Sequence, residues 1–303
     1  MNWFFIALIT PIAHAAVNHL DKHLLSKYFK GGHVGSLVLF SALFAAVALP
    51  VIYFMDPGVL SVKTSDVLLL IFNGFLLVLA YICYFYALNK DEASFVAPLF
   101  QLIPVFGFIL GYFFLGETLT RQEIIGALVI IFGAVILSLE LTGGSIKVKK
   151  VVILLMIASS LLYAINAVLF KFVAVEQQGF LPALFWDFSG KVVIGLLILA
   201  TIKSYREQFF AVLKQNSTAI LSLNILNEVL ALVGEAALVF AVLLAPVVLV
   251  QVVSGFQPLF VFIFGILLTI LAPSFGKELL TRQAIFQKIA GIVLIVIGTY
   301  LIN

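Results

Sequence analysis

From Trp3 to Ile302 the chain is a succession of apolar runs, each about as long as a helix that crosses a bilayer. Ten such runs stand out, at about 3–26, 34–55, 66–88, 93–115, 121–141, 151–174, 180–202, 217–241, 246–271 and 284–302. The longest polar interruptions are Asp56–Asp66, Thr142–Lys150 and Lys203–Gln215, none of them long enough for a soluble domain. Backbone placed in hydrocarbon must satisfy its own N–H and C=O groups, so these runs are expected to be helices. The solvent follows from composition, with 64% of residues hydrophobic and 10% charged. A soluble globular chain is nearer half apolar and a quarter charged. The fold class expected is all-α and integral to a membrane, with lipid as its surroundings. The 30 phenylalanines read mostly as lipid-facing filler.

A formal charge of +3 is too small to suggest a nucleic-acid partner. The lone Cys83 excludes an internal disulfide and a cysteine-based metal site. Residues 4–16 hold an apolar stretch and an Ala-His-Ala sequence like a leader cleavage site, but no positive charge precedes them. The segment is therefore read as the first spanning helix.

The chain repeats itself. With Pro104 set over Pro258, Asn73 falls over Asn227, Ala87 over Ala241 and Gly111 over Gly265 without a gap. An insertion near Ile270–Gly276 then brings Thr120-Arg121-Gln122 over Thr281-Arg282-Gln283. Gly126 and Gly133 match Gly291 and Gly298 at the same spacing, and Lys22 and Lys171 each close an apolar run. Residues 1–141 and 151–303 thus form two units joined by 142–150, with five runs apiece. An odd number of spans turns the second unit upside down, which is the inverted-repeat plan of secondary transporters, with a site near the midplane. Ten transmembrane helices as two inverted five-helix repeats around a central cavity are the expected architecture. Pro104 and Pro258 are expected to bend their helices beside that cavity.

The stretch YFYALNKDEASFVAPLFQLIPVFGFILGYFFLGETLTRQEIIGALVIIFGAVIL, Tyr84–Leu137, resembles the EamA-type repeat of the drug/metabolite transporter superfamily. The shared features are a Tyr-Ala-Leu helix, a proline in the next helix, Gly-Glu-x-Leu-Thr and a glycine-spaced last helix. In the second unit the pattern is looser, because Gly-Lys-Glu-Leu-Leu-Thr carries an extra lysine. The resemblance implies ten helices, a central cavity and movement of small organic solutes. It also implies termini inside the cell. Lys and Arg, in contrast, crowd the connections after odd-numbered runs, a bias that points to termini outside.

Ionisable groups within spans are costly and usually face a cavity or a partner. The eighth run places Asn224, Asn227, Glu228, Ala231 and Glu235 on one helical face, with Leu, Val and Ile opposite. Its two carboxyls are separated by roughly 10 Å along the axis. They are candidates to bind a cationic substrate or carry a proton. The plainer alternative for Glu228 is a hydrogen-bonded packing residue. The matching positions in the third run are Gly74 and Tyr81, so the acids belong to one copy. Asp187 and Lys191 are four apart in the seventh run and are expected to pair, with Trp186 beside them as a ring for substrate. His14, Asn18 and Asp21 share a face of the first run, and Tyr163 and Asn166 lie at related positions of the sixth. Asn73, Tyr81 and Tyr84 in the third run, Gln101 in the fourth, and Gln251 and Gln257 in the ninth complete the candidate lining. Rings beside carboxylates suit an amine.

Thr118 or Thr120 is expected to cap the fifth run with Glu123 in its first turn, and Glu117 to pair with Arg121. Gly107 and Gly111 form a GxxxG pair for close helix contact. No HExxH, GxSxG or Walker A pattern is present, which argues against a metalloprotease, a serine hydrolase or an ATP-driven pump. No cofactor or metal is expected. The function expected is secondary active or facilitative transport of a small metabolite, an amine or amino acid, coupled to protons through Glu228 and Glu235. Neutral metabolites or nucleobases are the alternative cargo, and a lipid-modifying membrane enzyme the remoter alternative. The expected location is the cell's inner membrane, as a monomer or homodimer.

Overall fold

A computed structural model describes residues 2–27, 34–90, 96–138, 150–175, 179–214, 218–271 and 282–302. In chain order the helices are α1 (Asn2–Lys27), α2 (Val34–Met55, with a 3-10 turn at Ala45–Val47) and α3 (Thr64–Lys90). Next come α4 (Leu102–Leu115, preceded by the 3-10 turn Ala97–Gln101), α5 (Arg121–Ser138), α6 (Lys150–Val173) and α7 (Phe180–Thr201). The last are α8 (Thr218–Leu244), α9 (Val247–Leu271, with a 3-10 turn at Ser254–Phe256) and α10 (Arg282–Ile302). Among the described residues, seven helices are long and apolar enough to cross a membrane: α1, α2, α3, α6, α7, α8 and α9. The apolar stretches Leu99–Leu115 and Phe286–Ile302 are shorter. The described residues contain no strand. The protein is an all-helical, multi-pass membrane protein. Most of the 142–150 connection and all of Gly276–Thr281 lie outside the described residues, as do the side chains of Lys22, Arg282 and Gln283.

The distribution of side chains is that of a protein in lipid. Phe54, Phe113 and Tyr300 are 81%, 74% and 82% exposed, while Asp187 and Lys191 are each 1% exposed. Polar groups turn inward because hydrocarbon offers them no hydrogen bond.

α1 packs along α8, and α3 along α6 and α7. α4 lies against α6 and α9, and α9 against α1. α5 and α10 pack on each other through glycines. A Cβ on Gly126 would lie 2.9 Å from the carbonyl oxygen of Gly298, and one on Gly133 would lie 2.9 Å from that of Gly291. At the α3–α7 seam, a Cβ on Gly74 would collide with the Asp187 carbonyl, and one on Gly190 with the Ile71 carbonyl. These backbones touch because nothing stands between them.

Each of the two prolines removes one backbone hydrogen bond. Pro104 offers no N–H to the Phe100 carbonyl, and Pro258 none to that of Ser254. Both carbonyls fall in 3-10 turns. The GxxxG pair behaves differently from expectation, for its glycines make room for side chains. A Cβ on Gly107 would collide with the Gln251 amide, and one on Gly111 would lie 2.7 Å from Glu117 Oε2.

The capping expectation for α5 is met by Thr120. Glu123 N–H donates to Thr120 Oγ1 at 3.2 Å, and Thr120 N–H donates to Glu123 Oε2 at 2.7 Å, a reciprocal capping box. Glu117 is not paired with Arg121. It accepts from Lys171 Nζ at 2.6 Å and from Val247 N–H at 2.7 Å. Lys171 Nζ also donates to the Ala245 carbonyl at 2.6 Å. The result is a clasp joining the α4–α5 connection, the end of α6 and the start of α9. A pair across helices wins because both groups are largely buried there and leave no charge unanswered.

Lys203–Gln215 is not merely a polar loop, for Lys203–Lys214 is a helix. Tyr205 and Val212 are buried on α2 and α7, and Phe209 stacks on Phe40 with centroids 4.8 Å apart. Tyr205 donates to Tyr86 Oη at 2.9 Å. Burial, then that bond, raise the Tyr205 hydroxyl above its ordinary value. Such an amphipathic helix suits the plane of a membrane interface.

Candidate functional site

Four membrane helices bring ionisable and polar groups together. α8 contributes Glu235 and Glu228, α7 Lys191 and Asp187, α1 His14 and Asp21, and α3 Tyr81 and Asn73. Lys191 Nζ donates to Glu235 Oε2 at 2.6 Å, and Tyr81 Oη donates to the same oxygen at 3.2 Å. The ammonium lies 5.5 Å from the centre of the Tyr81 ring and 4.9 Å from that of Phe188. Glu235 Oε1 is buried and has no hydrogen-bond partner. His14 packs its ring against Gly234 and is within electrostatic reach of both Glu235 and Lys191. Thr10 Oγ1 donates to the Gly234 carbonyl at 2.8 Å, fixing α1 against α8 at this level.

The expected Asp187–Lys191 pair is not formed. Asp187 Oδ1 instead accepts from Asn73 at 2.8 Å and from Asn166 at 3.5 Å, and Asn166 also donates to the Asn73 carbonyl at 3.3 Å. Two amides satisfy this carboxyl, which leaves Lys191 for the facing helix. Glu228 Oε1 accepts from Ser41 Oγ of α2 at 3.1 Å. Asn227 Nδ2 donates to Asp21 Oδ1 at 2.9 Å, tying α8 to α1. Asp21, Lys191 and Glu235 all act on Glu228 electrostatically. Asn224 is buried on the same helix, and Asn18 is half-buried on α1.

An aromatic wall flanks this cluster. The Tyr81 and Tyr163 ring centres are 6.0 Å apart, those of Phe100 and Tyr163 6.0 Å, and those of Tyr84 and Phe100 4.9 Å. Twelve of the site residues read from the sequence thus sort by place. Glu228, Glu235, Asn227, His14, Asn73, Tyr81, Tyr163 and Asn166 join the cluster, and Tyr84 its wall. Gln101 and Gln251 sit at the α4–α9 crossing, beside Gly255 and Gly107. Trp186 is turned elsewhere, donating from Nε1 to the Val59 carbonyl in the α2–α3 connection at 2.8 Å. Ser41 and Phe188 were not singled out from sequence, since a serine or phenylalanine among many carries no signal there.

Comparison with known proteins adds a likeness in fold and a likeness to one family. The chain is 39% identical over 70 residues to an uncharacterized protein of Methanocaldococcus jannaschii, covering 23% of this chain and 51% of that one. The chain spans about half the length of that curated relative. A protein known from its crystal structure superposes with a TM-score of 0.65 at 16% identity, over 97% of this chain and 95% of that one. That likeness concerns fold alone. Residues 1–139 match the model of the EamA-like transporter family. By this match, the first half of the chain is similar to the EamA-like transporter family.

Proposed function

We propose that the protein is a secondary transporter that carries a small organic amine or amino acid across the cell membrane by alternating access. Two five-helix units in opposite orientations enclose its pathway. The observation that carries this reading is the Lys191–Glu235–Tyr81 cluster, with Asp187 and Glu228 near it, buried among helices that are otherwise apolar. Charges are expensive in such surroundings and usually mark a route for ions or solutes. With Glu235, Glu228 and Asp187 against Lys191, the carboxylates outnumber the ammonium, which suits a cation.

The packing supports the two-unit plan. Advancing each helix by five places turns the α1–α8 contact into α6–α3, and α4–α6 into α9–α1. The α5–α10, α4–α9 and α2–α7 contacts map onto themselves. Glu228 takes the place of Gly74 in this correspondence. Where α3 closes on α7 through a glycine, α8 presents a carboxylate to Ser41 of α2.

Purified protein in liposomes, screened with labelled amines, amino acids and nucleobases, tests the reading. Amine uptake above protein-free vesicles is expected, and Glu228→Gln with Glu235→Gln is expected to abolish it. Amine uptake indifferent to that double change contradicts the carboxylate site. Nucleobase uptake alone would move the reading to neutral cargo. Glu228 is assigned the coupling proton: an imposed pH gradient accelerates uptake by wild type and not by Glu228→Gln. An equal response from both removes the coupling role.

A further inference from the structure

Glu235 already holds an organic ammonium, and that ammonium belongs to the chain. Lys191 Nζ lies 2.6 Å from Glu235 Oε2 and faces the rings of Tyr81 and Phe188 at 5.5 Å and 4.9 Å. A carboxylate flanked by ring faces is an environment that selects ammonium groups. Glu235 is 8% exposed, and its other oxygen, Oε1, has no hydrogen-bond partner. An acceptor for a further donor is therefore in place. One turn back on α7 stands a second carboxylate, Asp187, at the spacing that lets a lysine reach it. Lys191 already acts on Asp187 electrostatically, and Asn73 and Asn166 hold the Oδ1 atom of that carboxyl. The lysine thus has one carboxylate on the facing helix and one on its own.

We propose that Lys191 is a tethered stand-in for the cargo. Its ammonium occupies the cargo's place at Glu235 while the carrier is empty, and it moves to Asp187 when an incoming ammonium binds Glu235. The inference rests on the transport reading above and narrows its cargo to compounds bearing an ammonium group. Two consequences separate this role from a structural ion pair. The stand-in competes with cargo, because a site available only part of the time binds with lower apparent affinity. It also keeps the empty site paired, sparing the protein an uncompensated buried carboxylate during the return. The empty carrier then returns readily, so net uptake and exchange proceed at similar rates.

The test uses proteoliposomes and radiolabelled ethanolamine, comparing net uptake into empty vesicles with exchange into vesicles preloaded with unlabelled ethanolamine. Lys191→Met is expected to lower the half-saturating ethanolamine concentration by about tenfold, the effect of removing a competitor. It should keep exchange while losing most net uptake. Asp187→Asn removes the lysine's second place and is expected to raise the half-saturating concentration by about tenfold. Lys191→Met with Glu235→Gln removes both charges and is expected to carry no ethanolamine above protein-free vesicles. The stand-in is overturned if Lys191→Met weakens ethanolamine binding or lowers net uptake and exchange alike. It is overturned equally if Asp187→Asn leaves half-saturation unchanged, a result that stands even should Lys191→Met fail to fold. Wild-type vesicles that carry no amine at all would overturn the transport reading itself.

Discussion

Among single residues, Glu117 shows how one carboxylate can hold three parts of a membrane protein. It receives Lys171 and the first N–H of α9, and Lys171 in turn reaches the Ala245 carbonyl. Removing one member of a buried pair leaves the other uncompensated, at a cost of about 3–5 kcal/mol. Lys171→Met and Glu117→Gln should therefore each lower the melting temperature in detergent. The double variant should lose less than the sum of the two, since the second change removes an already orphaned group. Strict additivity would show that the clasp contributes no coupling. Both residues were visible in the sequence as notable, yet their partnership was not. The nearest opposite charge along the chain, Arg121, drew the pairing to itself, whereas folding brings together residues 54 positions apart. The same reason explains Lys191, whose neighbour Asp187 is satisfied by amides from α3 and α6.

For helices, local signals were legible where they are chemically local. The Thr120–Glu123 capping box depends on residues within one turn of each other. The Lys203–Lys214 helix was hidden because its charges outweigh its apolar stripe, although Tyr205, Phe209 and Val212 recur at helical spacing. Its hold on α2 should depend on pH. The Tyr205 hydroxyl has a raised value when docked, so the docked state keeps its proton more tightly than the free helix does. Stability from this contact is present below the ordinary value of 10.0 and declines as pH rises past it. Proteolysis within this helix should accelerate above that pH in wild type and show no such step in Tyr205→Phe. An identical step in both would assign the effect elsewhere. At the α5–α10 crossing, Gly126→Leu would drive a side chain into Ile302, Leu301 and the Gly298 carbonyl. Overpacking of this kind costs about 1–3 kcal/mol or more. A lower melting temperature is expected, and an unchanged one would mean that the helices separate freely.

For the whole molecule, the decisive feature is parity. In the proposed plan the connection after α4 and the connection after α9 correspond, with five spans between them. An odd number of spans puts them on opposite faces of the membrane. The proposed repeat rests on glycines, prolines and asparagines that keep their spacing through most of the chain's two halves. The cluster of Glu235, Lys191 and Tyr81 was only half legible, because it joins three helices far apart in the sequence. The plan is tested by replacing Cys83 with serine and introducing Thr118→Cys or Ser274→Cys singly. Intact cells are then treated with a membrane-impermeant maleimide, and permeabilised cells serve as the reference for full labelling. The inverted plan predicts that one of the two cysteines reacts in intact cells and that the other reacts only after permeabilisation. Labelling of both from the same side would contradict it.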